Sequence, residues 1–378
     1  MNSAQLPFIS FPIILTILVF FIMIMIPFFI AIKELLRPED DIPLYIDMFY
    51  SKDPMYFGNS FKSIIQNTVE RLDSPPPSSI IRLSKKERVE ILDSTSLPAN
   101  SKTKHMLYVK GSFHLHEKAV ALKEVYVKGE TRLERKSRVR SVYCEKNIHL
   151  SYGCEVFRWV CSEKNITANT GNRLGRNVSC NGTLELHSRC RFQSAFALPV
   201  VTGESSPNMD FEYPPELYAK REVKWFIHNK FLSINCADTD DWDTGEGRSK
   251  LEKQWDFNKR CISLYPGSIV DYNFVARKDL LIRKNCTVYG SYKSYKSIFI
   301  EKAAIIFGDI FAEGDIKIDD DCIVMGNVFS QSRVFIGNNV HISKPGTIKS
   351  IIGKKFVELG KNTVIYGYVL SEGEGIVK

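Results

Sequence analysis

The stretch Gly308-Asp-Ile-Phe-Ala-Glu-Gly-Asp-Ile-Lys-Ile-Asp-Asp-Asp-Cys-Ile-Val-Met325 runs directly into Gly326-Asn-Val-Phe-Ser-Gln-Ser-Arg-Val-Phe-Ile-Gly-Asn-Asn-Val-His-Ile-Ser343, and the two are copies of one 18-residue unit. Counted from the leading Gly, apolar or small residues fall at places 3, 5, 9, 11, 15 and 17. In the first copy these are Ile310, Ala312, Ile316, Ile318, Cys322 and Val324; in the second, Val328, Ser330, Val334, Ile336, Val340 and Ile342. A spacing of two within each pair is the period of a strand with one buried face. The Gly, Asp and Asn between pairs accept turn conformations. Three short strands per repeat, kept in register, predict an all-β parallel β-helix, or β-solenoid. No single coil buries its apolar face, whereas stacked coils share one core.

The unit extends backwards without a gap. Gly290 opens a coil with Tyr292, Ser294, Ile298, Ile300, Ala304 and Ile306 inward, and Tyr272 opens another with Phe274, Ala276, Leu280, Ile282, Cys286 and Val288. It continues less regularly through Gly346-Thr-Ile and Gly367-Tyr-Val. Further upstream, Leu107-Tyr-Val, Val125-Tyr-Val, Val142-Tyr-Cys, Val160-Cys-Ser and Val178-Ser-Cys begin units at spacings of 18, 17, 18 and 18. The expected organisation is a first array over 105–198, an insert over 199–264 and a second array over 265–378. The insert carries four prolines, Trp225, Trp242, Trp255 and the acidic run Asp238–Asp243. Trp242 stands where a calcium loop needs an oxygen ligand and no Glu closes the loop, so no metal site is assigned.

The other end of the chain is apolar. From Asn2 to Ile32 there is no charge, and Pro12–Ile32 is rich in Ile, Leu, Phe and Met. About 20 such residues cross a bilayer core. Met1–Gln5 lacks the basic residue of a signal peptide, so residues 1–37 are expected to be a retained single-pass transmembrane helix. Lys33 and Arg37 follow the span and nothing basic precedes it, which puts the body on the cytoplasmic side. Residues 38–104 read as a small α/β juxtamembrane segment. In it, Asn59-Ser60 caps a helix Phe61–Leu72 that ends at Pro75-Pro76-Pro77. Tyr45, Met48, Phe49, Tyr50, Tyr56 and Phe57 are expected to pack on that helix, the alternative being a place at the headgroup level. Ile80–Lys102 is read as a short helix and strand, with Ser84-Lys-Lys-Glu87 as a capping box.

The repeat phase also interprets the reactive side chains. Of nine cysteines, Cys144 and Cys180 take place 5 and Cys154, Cys190, Cys286 and Cys322 take place 15, both inward. Other coils put Val, Ala or Ser there, so these cysteines act as small buried hydrophobes in a reducing compartment. No C-x-x-C pair supports a zinc ribbon. His114 and His149 take place 10 and His341 place 16, all outward and without an acid beside them in that reading. No catalytic, cofactor-binding or metal-ligating residue is therefore assigned, and no cofactor. The formal charge is +8, with a basic stripe of Lys123, Lys128, Arg132, Arg135, Lys136, Arg138 and Arg140. Such a stripe suits anionic lipid headgroups or an acidic polymer, but no nucleic-acid-binding pattern accompanies it.

The coils Gly308–Met325 and Gly326–Ser343, of the form G-D/N-h-x-A/S-x-x-x-h-x-h, resemble bactofilins, the polymer-forming cytoskeletal proteins of bacteria. The resemblance implies a right-handed β-helix that stacks end to end into nucleotide-free filaments beneath the inner membrane. It further implies a scaffold for cell-envelope or cell-shape machinery. Two alternatives stand beside it. Left-handed β-helix acyltransferases use a coil of the same length, and Ile336-Gly-Asn-Asn-Val-His-Ile is similar to their hexapeptide repeat. A monomeric membrane-tethered adaptor is the other. A bare solenoid end recruits strands. Since only Ser371–Lys378 follow the last coil, a homo-oligomer or filament through that end is expected, with Val369 at the junction.

Overall fold

A computed structural model describes residues 15–25, 28, 53–70, 80–83, 87–203, 224–227, 254–257 and 260–378. The chain forms two compact units, Met1–Lys52 and Asp53–Lys378. In the first, residues 15–25 are helical and exposed. The rest of the expected anchor lies almost wholly outside the described residues. Among those described, no helix is long and apolar enough to cross a membrane. Tyr45–Tyr50 and the run Asp238–Asp243 also lie outside them.

The second unit is an all-β parallel solenoid of about 13 turns. Every inward place of the four coils from Tyr272 to Ser343 is buried, from Phe274 through Ile342. Parallel pairing keeps each place in column: Tyr292, Ile310 and Val328 on one face, Ile298, Ile316 and Val334 on the next. The leading glycines have a steric cause. A Cβ on Gly308 or Gly326 would strike the backbone of the preceding coil. At another corner each coil turns through a left-handed residue. In the first array this column includes Lys118, Lys136, Gly153, Gly171 and Arg189; in the second, Gly267, Asn285, Ala303, Asp321, Asn339 and Asn362.

The two arrays do not wind on from one another. They meet tail to tail. The strand Arg191–Thr202 pairs antiparallel with Val364–Val377, through Arg191↔Ile376, Ala195↔Val369 and Val200↔Ile365. Those three contacts belong to the three faces of the prism, so every face passes through the junction with chain direction reversed. The Thr202 hydroxyl donates to the Gly360 carbonyl at 2.6 Å and helps close the seam. Both outer ends of this solenoid are consequently N-terminal coils. The expectation of a free C-terminal coil is corrected: Val369 is fully buried beside Ala195 of the same chain. At about 4.8 Å per turn the stack is about 60 Å long.

Element boundaries also move. The first array starts earlier than residue 105, because Arg88–Leu92, Thr95–Leu97 and Lys102–Thr103 already form a coil under the next one. Ile80–Arg82 folds back antiparallel on that coil, and the described part of Ile80–Lys102 holds no helix. The array runs on through Thr202, and the second begins with the strand Cys261–Leu264. Within the narrowed insert, Lys224–Ile227 pairs with Tyr272–Ala276, and Trp255–Phe257 lies antiparallel on Cys261–Leu264. Trp255 closes the core there: its ring stacks on Phe274 at 4.5 Å and its indole N–H donates to the Tyr272 hydroxyl at 2.6 Å. The helix expected over Phe61–Leu72 is Tyr56–Glu70, starting before Phe61. Asp53 caps it, accepting from the Met55 N–H at 2.8 Å, while the proposed cap Asn59 instead donates its amide to Asp53.

Candidate functional site

Chemistry on a solenoid resides in its outward rows, and the first array presents three. The first row is Tyr108, Tyr126, Tyr143, Cys161 and Ser179, all buried although they point out of the coils. The Tyr56–Glu70 helix covers it. Met55, Phe61 and Ile65 pack on Tyr126, Tyr143 and Trp159. The phenols of Tyr126 and Tyr143 donate to Glu145 and Glu163. Lys62 joins both carboxylates, at 3.8 Å and 2.6 Å respectively. Partial burial pushes the Glu163 carboxyl up, but hydrogen bonds from Lys62 and Tyr143 hold it below the usual glutamate range. Gly58 permits the close approach, since a Cβ there would sit 2.7 Å from Tyr143 and 2.8 Å from Cys161. Burial pushes the Cys161 thiol up to about 12, so it is inert while the helix is docked.

The second row runs Ser96, His114, Arg132, His149, Thr167 and Glu185. Here a histidine does have an acid beside it, contrary to the sequence reading. His114 Nε2 lies 3.1 Å from Glu134, which also accepts from Arg132 Nε at 2.9 Å and Ser151 Oγ at 3.2 Å. A search along one place misses this pair because Glu134 stands two residues on, in the following coil. A hollow of about 270 Å³ opens alongside, lined by Glu130, Thr131, Arg132, Asn147 and His149. Burial, then the Arg132 charge, lowers the His149 pKa and keeps it neutral. Burial pushes the Glu134 carboxyl up, but His114, Ser151 and Arg132 together hold it below its usual range. A carboxylate bound on three sides as the anion is a weak base, so the cluster reads as an ion-pair lattice rather than an acid–base centre. His341, in the second array, is half-buried in column between Ile323 and Val364, and burial lowers its pKa.

The third row, with the corner leading back to the first, is cationic. Arg138 and Arg173 share Glu155 at 3.2 Å and 3.8 Å, and Arg191 reaches Glu374 at 3.4 Å. Along the corner stand Arg140, Arg158 and Arg176, one per coil. Parts of the stripe read from sequence are neutralised: Lys123 by Glu87 at 2.7 Å, Arg140 by Glu124 at 3.1 Å, Arg132 by Glu134. Lys128 and Arg135 lie over the Tyr108 and Tyr152 rings. Sequence reasoning missed Arg158, Arg173, Arg176 and Arg191. Their signal was the repeat itself, since Arg140, Arg158 and Arg176 recur at intervals of 18, as do Arg173 and Arg191.

All six inward cysteines are free and buried, and among the described residues no group of His, Cys, Asp and Glu is arranged to hold a metal ion. No family model matches this sequence, and comparison with curated proteins and with solved structures returns no match.

Proposed function

We propose that the chain is a non-enzymatic scaffold, tethered to a membrane by its N-terminal apolar stretch and assembling through its solenoid ends, as the resemblance to bactofilins implies. The observation that carries this reading is the pair of outer ends. Among the described residues, the edge strands Thr95–Leu97 and Ile269–Val270 each pair with another strand on one side only, and at the second edge the Gln254 side-chain amide donates to the Ile269 carbonyl at 3.1 Å. Thr95 N–H and Leu97 C=O bond the following coil, at 3.2 Å and 3.1 Å. In a strand that alternation turns the Ser96 backbone groups away from the stack, where they offer an edge to another strand. Assembly on this plan runs head to head, because both ends are N-terminal coils.

The test uses the full chain in nanodiscs or detergent, followed by sedimentation and negative-stain microscopy. End-to-end chains are expected at tens of micromolar, roughly the range in which exposed edges associate. Ser96→Pro removes one outward N–H at an edge that tolerates proline, and should shorten the chains to pairs. A wild-type chain that stays monomeric sinks the scaffold and favours the adaptor.

A further inference from the structure

We propose that the third face of the first array, together with the corner carrying Arg140, Arg158 and Arg176, is a docking surface for an anionic membrane leaflet. Residues 88–203 hold 19 Lys and Arg against 10 Asp and Glu, whereas residues 260–378 hold 16 against 12. The excess is concentrated rather than spread. Arg158 and Arg176 are exposed and have no carboxylate partner among the described residues. Arg138 and Arg173 divide a single glutamate between them.

One further feature selects a lipid surface over an acidic polymer. Irregularities in the strand ladder fall between Ala121 and Glu124 and between Val156 and Trp159, within the corner. An extra residue of that kind re-aims a side chain outward. Here the residues turned out include Leu122, 38% exposed, and Phe157, 51% exposed. Apolar tips interleaved with arginines match a membrane interface, where rings and aliphatic groups sink below the headgroups and guanidinium groups hold the phosphates. A polyphosphate or nucleic acid has no use for the leucine. The neighbouring corner adds to the charge. Lys118, Lys136 and Arg189 occupy left-handed positions that the second array fills mostly with Gly and Asn. Cationic side chains are thus kept where the backbone disfavours them.

The inference rests on the proposed membrane tether to bring a leaflet within reach, but not on end-to-end assembly, so the two fail separately. The full chain, held in phosphatidylcholine nanodiscs to occupy its apolar N-terminal stretch, is mixed with sucrose-loaded vesicles and spun. Vesicles of equal parts phosphatidylcholine and phosphatidylserine should carry the protein down, and phosphatidylcholine vesicles should not. Each arginine is worth about a five-fold change in affinity, so Arg158→Glu with Arg176→Glu should weaken binding by more than an order of magnitude. Phe157→Ala should weaken it severalfold without altering its salt dependence, and Lys317→Glu in the second array should leave it unchanged. Circular dichroism confirms that each variant is folded. Equal binding to both vesicle types, wild-type binding by the folded double arginine variant, or a loss with Lys317→Glu would each overturn the proposal. So would tight binding of polyphosphate that Phe157→Ala leaves intact while the vesicles stay unbound.

Discussion

The two arrays share one coil and one core yet meet solvent with different chemistry. In the second, charges answer each other from coil to coil: Arg333 pairs with Asp315 at 2.5 Å, and Lys302 with Asp320 at 2.9 Å. Its outer aromatic residues pair likewise, Phe311 on Phe329 at 5.0 Å and Tyr289 on Phe307 at 4.5 Å. In the first, arginine follows arginine, and one whole face is covered by a helix. The inward places set the backbone, since any polar or bulky change there disturbs a packed stack. The outward places are free to be self-satisfying or to be left open, and at one corner of the first array Arg158 and Arg176 stand in column with no carboxylate partner among the described residues.

The sharpest way to break the comparison is at the seam. Val369→Lys puts a charge into a fully buried site beside Ala195 and should cost several kcal/mol. Urea melts should show one transition for the wild type, because all three faces cross the junction, and two for the variant. Two transitions in the wild type would mean that the arrays fold independently.

A smaller effect is expected where the first array differs most, under its helix. Gly58→Leu forces a side chain into Tyr143 and Cys161 and should cost about 1–3 kcal/mol, undocking the helix while sparing the coils. Iodoacetamide at mildly alkaline pH should then label Cys161, which is unreactive in the wild type. Unchanged labelling would show that something other than the helix protects the thiol.

The smallest effect is acid sensitivity of the same contact. Glu163 titrates lower in the fold than in the unfolded chain, so its contribution is complete above the usual glutamate range. It is lost as pH falls through that range towards the lowered value. With the side chain 34% exposed, solvent screening keeps the contribution below about 1 kcal/mol. Hydrogen exchange in Tyr56–Glu70 should therefore quicken under acid before that of the coils, and Glu163→Gln should abolish the difference.

The core was legible because its rule is local. Places 3, 5, 9, 11, 15 and 17 predict burial from Phe274 to Ile342 residue by residue. The first coil, Arg88–Thr103, escaped because it has no glycine corner, and Ser84-Lys-Lys-Glu87 just before it reads as a helix capping box. Pro199 suggested a break where the strand in fact runs to Thr202. The helix start was misplaced because Asp53-Pro54 and Asn59-Ser60 are both good caps by composition, and the packing of Met55, Phe61 and Ile65 on the coils selects the earlier one. The His114–Glu134 pair and the seam join residues from different coils, and an antiparallel meeting of two coil ends leaves no period to read.

That seam also dictates an order of events during synthesis. The strand Arg191–Thr202 leaves the ribosome about 160 residues before its partner Val364–Val377 is made. At about 5–20 residues per second, the first array waits on the order of ten to thirty seconds with its last rung unpaired. Nor can it template the second array rung by rung, since the rungs it would have to touch first are translated last. The second array must therefore build itself from its Trp255 plug inward. Closing the seam is the final step, and a nascent chain halted before Val364 carries a raw edge that a neighbouring nascent chain's Val364–Val377 strand can fill.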